Sequence, residues 1–324
     1  MRKILLLSTC LLAVNASFGQ SDKNFTHYMA DQISFNPGAT GFRGICGTLI
    51  YRNQWFGFEG APNSYLFNAQ ANLQEQGMGI GISYLHDNVG FFSENDFKIN
   101  IAKHFEIVGA GYLSLGLGFG LVNGSFDPTW IPPDPTTPDP NLPIADGASA
   151  LDLNFGAFWR DADERYYVGL SSTHLTAPNL NTINFDKARH YYATGGMNIR
   201  YDMLPIVDGL TLKPSFLVIS DFVSTTMDVT LIANYDLTNY QAIYGGLTYR
   251  RKDALAVLIG YSTNTFDPGT LDGDPDVLNI GLSYDITTSD INTPSNGSLE
   301  VWANYCMFAP DPARARHGNV FILD

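Results

Sequence analysis

The sequence predicts an all-β protein: a transmembrane antiparallel β-barrel of about 14 strands with long extracellular loops. Three observations carry that prediction. Residues 113–122 (LSLGLGFGLV) alternate strictly, with Leu113, Leu115, Leu117, Phe119 and Leu121 on one face and Ser114, Gly116, Gly118 and Gly120 on the other, which is the period of a strand and not of a helix. Charged residues are only 15% of the chain, against about 25% in soluble domains. After the first residues no apolar run approaches the ~18 needed for a membrane helix, so a chain that crosses a bilayer must do so as a closed sheet, because lipid cannot satisfy open strand edges.

The chain opens on an export signal. Arg2 and Lys3 precede an apolar core, 4–14, and Ser17 and Gly19 supply the small-x-small cleavage pattern, so residues 1–19 are expected to be removed. The core is too short to span ~30 Å of hydrocarbon as a helix, and Thr9 is too bulky for a lipoprotein site at Cys10. Residues 20–44 do not alternate. Asn36-Pro37-Gly38 is a turn signal, and this lead-in is expected to tuck into the barrel mouth as a plug.

The barrel is assigned to 45–306. Ile45, Gly47, Leu49 and Tyr51 point outward from the first strand. Next, Tyr65, Phe67, Ala69, Ala71 and Leu73 oppose Asn68, Gln70 and Asn72. Met78, Ile80, Ile82 and Tyr84 oppose Gly79, Gly81 and Ser83, and Phe97, Ile99 and Ile101 oppose Lys98 and Asn100. After 113–122, Leu151, Leu153, Phe155 and Trp159 oppose Asp152, Asn154 and Arg160. Further strands are expected at 165–174, 190–201, 209–220, 227–236, 242–250, 254–263, 277–286 and 298–306. A greasy stripe backed by glycine, serine and asparagine reverses the soluble pattern, placing lipid outside and a crowded polar lumen inside. A roomy lumen would make Gly118→Ser mild.

Connections alternate in length. Those at 53–63, 86–95, 123–149 and 175–189 read as long outer loops, and those at 75–76, 104–109 and 161–164 as short periplasmic turns. The pattern breaks at 264–276, long where parity expects a short turn: either a strand is misassigned or that turn is elaborated. The stretch 126–147 is too rich in proline for strand interior. It is an extended excursion, read equally as a docking arm or as a variable loop. Tyr51, Trp55, Tyr84, Phe91, Trp159, Tyr166, Tyr191, Tyr201, Tyr249, Tyr284 and Tyr305 sit at strand ends, as interfacial girdles require. Residues 307–324 form a C-terminal tail.

Chemistry is sparse. The formal charge of −14 argues against nucleic acid as a partner. No G-x-S-x-G, H-E-x-x-H or Walker pattern occurs. Asp272, Asp274 and Asp276 bunch oxygen donors but lack a full calcium loop, and no metal, cofactor or catalytic residue is assigned. Ser172 and His174 would share a face of the 165–174 strand as nucleophile and base. No acid in the sequence orients the histidine, so they are read as two rim polar residues. Cys46 and Cys306 lie near the first and last strands, which neighbour each other in a closed barrel. Export permits a disulfide, yet two free packed thiols is the preferred reading.

Three stretches resemble the PorP/SprF family of outer-membrane proteins of the Bacteroidetes type IX secretion system. They are FTHYMADQISFNPGATG (25–41), YRNQWFGFEGAPNS (51–64) and the closing segment 284–300, ending Gly297-Ser298-Leu299-Glu300. The middle box is the most specific. Leu299 departs from the family's usual histidine. The resemblance implies a non-enzymatic barrel in the outer membrane, tied to secretion and gliding motility, that helps secrete or anchor adhesin-like surface proteins or periplasmic components. Its partners would be outer-membrane lipid and a secreted surface protein or other secretion components. It marks Arg52, Gln54, Trp55, Gly57, Phe58, Glu59, Gly60, Ala61 and Pro62 as partner-binding candidates. The competing structural role is a loop folded back into the lumen with Arg52 paired to Glu59. Two other functions fit the residues: a diffusion channel or transporter for small solutes, and a secreted soluble β-sandwich that binds glycans.

Overall fold

A computed structural model of the chain describes residues 22–42, 44–57, 59–128, 146–183, 185–200, 207–238, 240–265, 276–293 and 295–307. The export signal, the prolines of 129–145, Phe58, Tyr201, Asp272, Asp274 and the tail after 307 lie outside the described residues.

In chain order the strands are β1 (Ile45–Asn53), β2 (Asn63–Leu73), β3 (Met78–Val89), β4 (Phe92–Ile107), β5 (Gly111–Phe126), β6 (Asp146–Arg160), β7 (Tyr166–Thr173), β8 (Asn179–Leu180), β9 (Phe185–Asp186), β10 (His190–Met197), β11 (Leu210–Ser220), β12 (Thr225–Thr238), β13 (Gln241–Arg250), β14 (Ala254–Thr265), β15 (Asp276–Thr287) and β16 (Ser298–Met307). All but the small β8–β9 ribbon belong to one closed barrel, each strand paired with its chain neighbour and β7 with β10. The last strand returns to the first, from Ile45↔Met307 through Asn53↔Leu299. Closure leaves no sheet edge for lipid to meet.

The alternation decides which face is which. On β5, Leu115, Leu117, Phe119 and Leu121 are exposed at the outer wall, while Ser114 and Val122 are buried. The same holds for Ile80, Ile82 and Tyr84 on β3, against a buried Ser83. Inward positions are polar across the wall, among them Asn68, Asn100, Asp152, Asn154, Thr230, Thr248, Asn279 and Asn304, all buried.

They are buried because the lead-in fills the lumen. Phe25, Tyr28, Met29, Ile33, Phe35 and Phe42 form one apolar cluster with Ile50, Leu66, Phe158, Tyr167, Tyr192, Leu217 and Trp302 of the wall. The lead-in runs lengthwise. Its first residues lie beside Thr173 and His190, at the rim that carries the 54–62 and 174–189 connections (the loop rim). Gly41 N–H, near the other rim (the turn rim), donates to Gln70 Oε1 at 2.8 Å. Between them the Asn36-Pro37-Gly38 turn, closed by Gly38 N–H to Asn36 Oδ1 at 2.9 Å, sits on the wall glycines. A Cβ at Gly116 would collide with the Pro37 carbonyl, and one at Gly118 would meet Asn100 Oδ1 at 2.6 Å and Pro37 Cγ at 3.2 Å. The glycine stripe is therefore a seat for the plug. The roomy lumen that made Gly118→Ser mild is corrected: that space is occupied.

Other expectations change too. The loop expected at 86–95 is a tight hairpin, with β3 and β4 paired up to Val89↔Phe92. These strands continue beyond the lipid-facing zone, where polar residues such as His86, Asn88 and Asn95 mask the alternation. β10 stops at Met197, and only an isolated bridge, Ile199↔Leu212, continues it. Both strands flanking the parity break are present, β14 and β15 pairing out to Thr265↔Asp276, so no strand is misassigned there; 266–275 lie outside the described residues. Cys46 and Cys306 form a disulfide, which corrects the preference for free thiols. The register places them directly opposite one another on the closing seam, which sequence spacing alone could not specify.

Three outcomes follow. Leu117→Arg is expected to cost about 2–4 kcal/mol near mid-bilayer, measured by denaturant unfolding in phospholipid. Gly116→Ala adds no polar group yet should dislodge the plug, read as faster proteolysis within 22–44. Replacing both cysteines by alanine should remove about 2–5 kcal/mol, read as earlier loss of the folded band on heated electrophoresis.

Candidate functional site

The densest chemistry in the molecule is a set of buried charges near the loop rim, where plug and wall meet. The register builds half of it. Arg52 on β1 lies opposite Glu300 on β16, and Asp228 on β12 lies opposite Arg250 on β13. These are cross-strand pairs of opposite sign, all facing inward. Arg52 Nη1 donates to Glu300 Oε2 at 3.0 Å and Arg52 Nη2 to Asp285 Oδ2 at 2.6 Å. Arg250 Nη1 donates to Asp285 Oδ2 at 3.1 Å, and Arg250 Nε and Nη2 engage Asp228 at 3.0–3.2 Å.

The plug completes the set. Glu300 accepts from the Thr26 and His27 backbone N–H groups, each at 2.8 Å, and its Oε1 lies 2.8 Å from His27 Nδ1. Thr26 Oγ1 donates to Asp285 and accepts from Arg52 at 2.9 Å. Asn24 Nδ2 reaches Asp228 Oδ2 at 3.0 Å. Tyr244 Oη accepts from Trp302 Nε1 at 2.8 Å and lies 3.2 Å from His27 Nε2. Arg52, Asp285 and Glu300 are each no more than 3% exposed. Charges so far from water need every partner they have. The arrangement is a clamp between plug and wall.

A second cluster pins the start of the plug beneath the 174–189 connection. His174 Nδ1 lies 2.8 Å from Asp152 Oδ2, and its Nε2 lies 3.2 Å from Asp22 Oδ2. Tyr192 Oη donates to Asp22 Oδ2 at 2.6 Å, and Lys187 Nζ meets Glu94 at 2.6 Å. Burial alone would raise the Asp22 carboxyl; His174 and Lys187 hold it well below the usual carboxylate range. Burial would lower the Lys187 ammonium, and Asp22 and Glu94 instead raise it. Lys23 reaches Asp87 at 2.5 Å. The connection itself folds inward: Leu180 is fully buried, close against Gly124, and Phe185 stacks on Phe92 at 4.7 Å.

Ser172 and His174 do not form a pair. His174 takes a left-handed backbone (φ 56°) just past β7 and turns into the lumen. Ser172 lies on the face opposite Ser171 and Thr173, which bond Phe35 O and Asp22, and its Oγ makes no hydrogen bond. The acids that orient His174 come from β6 and from the plug, where spacing gives no hint of them.

The partner-binding candidates separate. Arg52 is in the clamp, and Glu59 is exposed at the rim, so no Arg52–Glu59 pair exists. The remainder forms a loop over the rim. Gln54 N–H donates to Pro62 O at 2.9 Å, Trp55 N–H to Ser298 Oγ at 3.0 Å, and Gly90 N–H to Gly60 O at 3.0 Å. Trp55 holds φ 53° and Gly57 φ 116°. Ala61 O accepts from Asn63 Nδ2, and Pro62 is buried. The loop does not fold back into the lumen, which the plug fills. Asp228, Arg250, Asp285 and Glu300 were missed as site residues. Their signal was present: isolated charges at inward parity on strands, which must find partners across the lumen. Of the three aspartates weighed as a calcium loop, Asp276 is described and accepts from Tyr305 Oη at 2.5 Å.

A family model described as "Type IX secretion system membrane protein PorP/SprF" matches residues 17–305. Comparison with curated proteins finds no match. Among solved structures, the chain is similar to the CymD monoaromatic hydrocarbon channel, with 9% identity, 91% of this chain and 95% of that chain covered, and TM-score 0.52. It is also similar to the Ralstonia pickettii toluene transporter TbuX, with 9% identity, 85% and 92% covered, and TM-score 0.50. At this identity the likeness is one of barrel fold.

Removing one partner of the clamp should be costly. Arg52→Ala is expected to destabilise by about 3–5 kcal/mol, seen as a lower temperature for loss of the folded electrophoretic band. Arg52→Met combined with Glu300→Gln should cost less than the sum of the two single changes, because the pair is coupled.

Proposed function

The chain belongs to the PorP/SprF family of type IX secretion system membrane proteins, and from that premise we propose that it is a non-enzymatic component that helps secrete or hold large adhesin-like surface proteins, or anchors periplasmic parts of the apparatus. Its place is the outer membrane, as family and barrel fold both require.

The observation that carries this reading is the filled lumen. The plug is tied to the wall along its length: at Thr26 and His27 by the clamp, at Ile33 O by Asn100, at Phe35 O by Ser171 and at Gly41 by Gln70. Two cavities between plug and wall among the described residues hold about 40 and 30 Å³, the scale of one or two waters. A solute path would need much of that bonding to break. This weighs against the transport reading, and the outward apolar wall weighs against a soluble glycan-binding sandwich.

Within this reading, residues 1–19 are removed on export, 20–44 supply the plug, 45–306 the barrel, and the tail 307–324 either alters how the last strand is read by the insertion machinery or docks in the periplasm. The partner surface is the rim loop: Gln54, Trp55, Gly57, Phe58, Glu59, Gly60, Ala61 and Pro62, with Arg52 next to it in sequence but engaged in the clamp. It places a large, half-buried aromatic, Trp55, at the rim, the kind of residue that anchors interfaces.

Two measurements test this. Reconstituted in a planar bilayer, the protein should show no steady open-channel current; a sustained current would favour the transport reading. Pulled down from native outer membranes, it should bring a large secreted or secretion-system protein with it. Trp55→Ala with Glu59→Arg should reduce that recovery about tenfold, the loss of one hot-spot contact, with the barrel still folded.

A further inference from the structure

The outer wall of β1, β2 and β3 carries a ladder that none of the roles above uses. One tier, Tyr51↔Tyr65↔His86, crosses the three strands in register. Two residues nearer the loop rim, on the same outward face, the register gives Asn53↔Asn63↔Asn88. The tier on the other side of the tyrosines, Leu49↔Phe67↔Tyr84, is apolar except for a hydroxyl. From hydrocarbon outward the wall thus changes from aliphatic to aromatic to carboxamide. The hydroxyls point up the gradient: Tyr51 Oη donates to Asn63 Oδ1 at 3.2 Å and Tyr84 Oη to Asn95 Oδ1 at 2.8 Å. A girdle of amphipathic rings marks the level of the lipid headgroups, so the asparagine tier faces the headgroup layer.

Above that tier the 54–62 loop makes a roof. It is pinned on one side where Phe56 N–H donates to Gly297 O at 3.0 Å and accepts on its own carbonyl from Asn296 N–H at 2.8 Å. On the other side it is pinned by Gly90 N–H to Gly60 O at 3.0 Å. Beneath it lies a hollow of about 270 Å³ lined by the three asparagines, Phe56, Gly60 and Gly90 among others, close to the ~300 Å³ at which ligand pockets begin. Among the described residues none that lines it is charged. Asn53 Oδ1 is buried there without a hydrogen-bond donor. With no side chain at Gly60 or Gly90, a ligand can approach the backbone of the roof and the hairpin tip closely.

We infer that this hollow binds a neutral saccharide presented at the membrane surface, the headgroup of a glycolipid in the leaflet at the loop rim. Carboxamides donate and accept together, as sugar hydroxyls do, and an aromatic ring suits the apolar face of a pyranose. An anionic phosphate headgroup finds no lysine or arginine here to neutralise it. The two pins close the hollow at both ends, so it accommodates a ring and not an extended peptide.

The test uses the full-length protein in detergent with digalactosyl diacylglycerol or phosphatidylglycerol at equal mole fraction, observed by native mass spectrometry. The galactolipid should be retained about fivefold more than the anionic lipid, the scale of one or two neutral hydrogen bonds. Asn88→Leu, and separately the milder Asn88→Ser, should abolish that preference with heat-resistant mobility unchanged. Equal retention of both lipids, or a preference that survives both variants, would overturn the inference. Free digalactose in excess separates the sources: displacement of the lipid assigns binding to the saccharide alone, and persistence assigns it to the lipid-linked form.

Discussion

The structure depends on one constraint: charged groups inside a membrane barrel have no water to fall back on. Arg52, Arg250, Asp228, Asp285 and Glu300 face inward from five strands, β1, β13, β12, β15 and β16, and the wall by itself does not satisfy them. Thr26, His27 and Asn24 supply the missing donors. Plug and barrel are thus two halves of one hydrogen-bonded core, and neither is complete without the other. The three boxes that carry the family resemblance meet at this point. His27 belongs to the first, Arg52 to the second, and Asp285 and Glu300 to the third. Their spacing along the chain is explained by closure of the barrel, which brings the first and last strands together.

That closure is reinforced by a covalent seam. Cys46 and Cys306 join β1 to β16 near the turn rim, while Arg52 and Glu300 join the same two strands near the loop rim. The seam is where a barrel made from one chain would open most readily, because no connecting loop holds it. A lumen filled by side chains and a seam locked at both ends describe a rigid pillar. The proposed role then falls to the rims and the outer wall, in keeping with a component of a secretion apparatus.

Several local features depart from simple alternation for a common reason: the chain changes direction or environment where counting by twos sees no signal. Ser172 and His174 were placed on one face by counting twos, but a left-handed residue at 174 ends the count and reverses the side chain. The tight hairpin at Val89↔Phe92 was read as a loop because strands that rise above the bilayer no longer need apolar residues on their outer face. The glycines of β5 were legible as a small face. What they are small for was not, since the occupant, Pro37, lies far away in sequence. The rim-loop candidates stayed together at the rim with one exception: Arg52 lies two residues inward, at a parity that delivers it to the lumen.

The sequence by itself determined the wall. Period-two alternation, low charge and aromatic strand ends suffice to set a closed barrel of about 14 strands and the outward direction of the bulky side chains, because each strand meets lipid on its own account and records that contact locally. Only the tertiary structure decided what fills the lumen and how the charges pair. Those contacts join residues hundreds of positions apart across a closed ring, and their geometry exists only once the register of every strand between them is set.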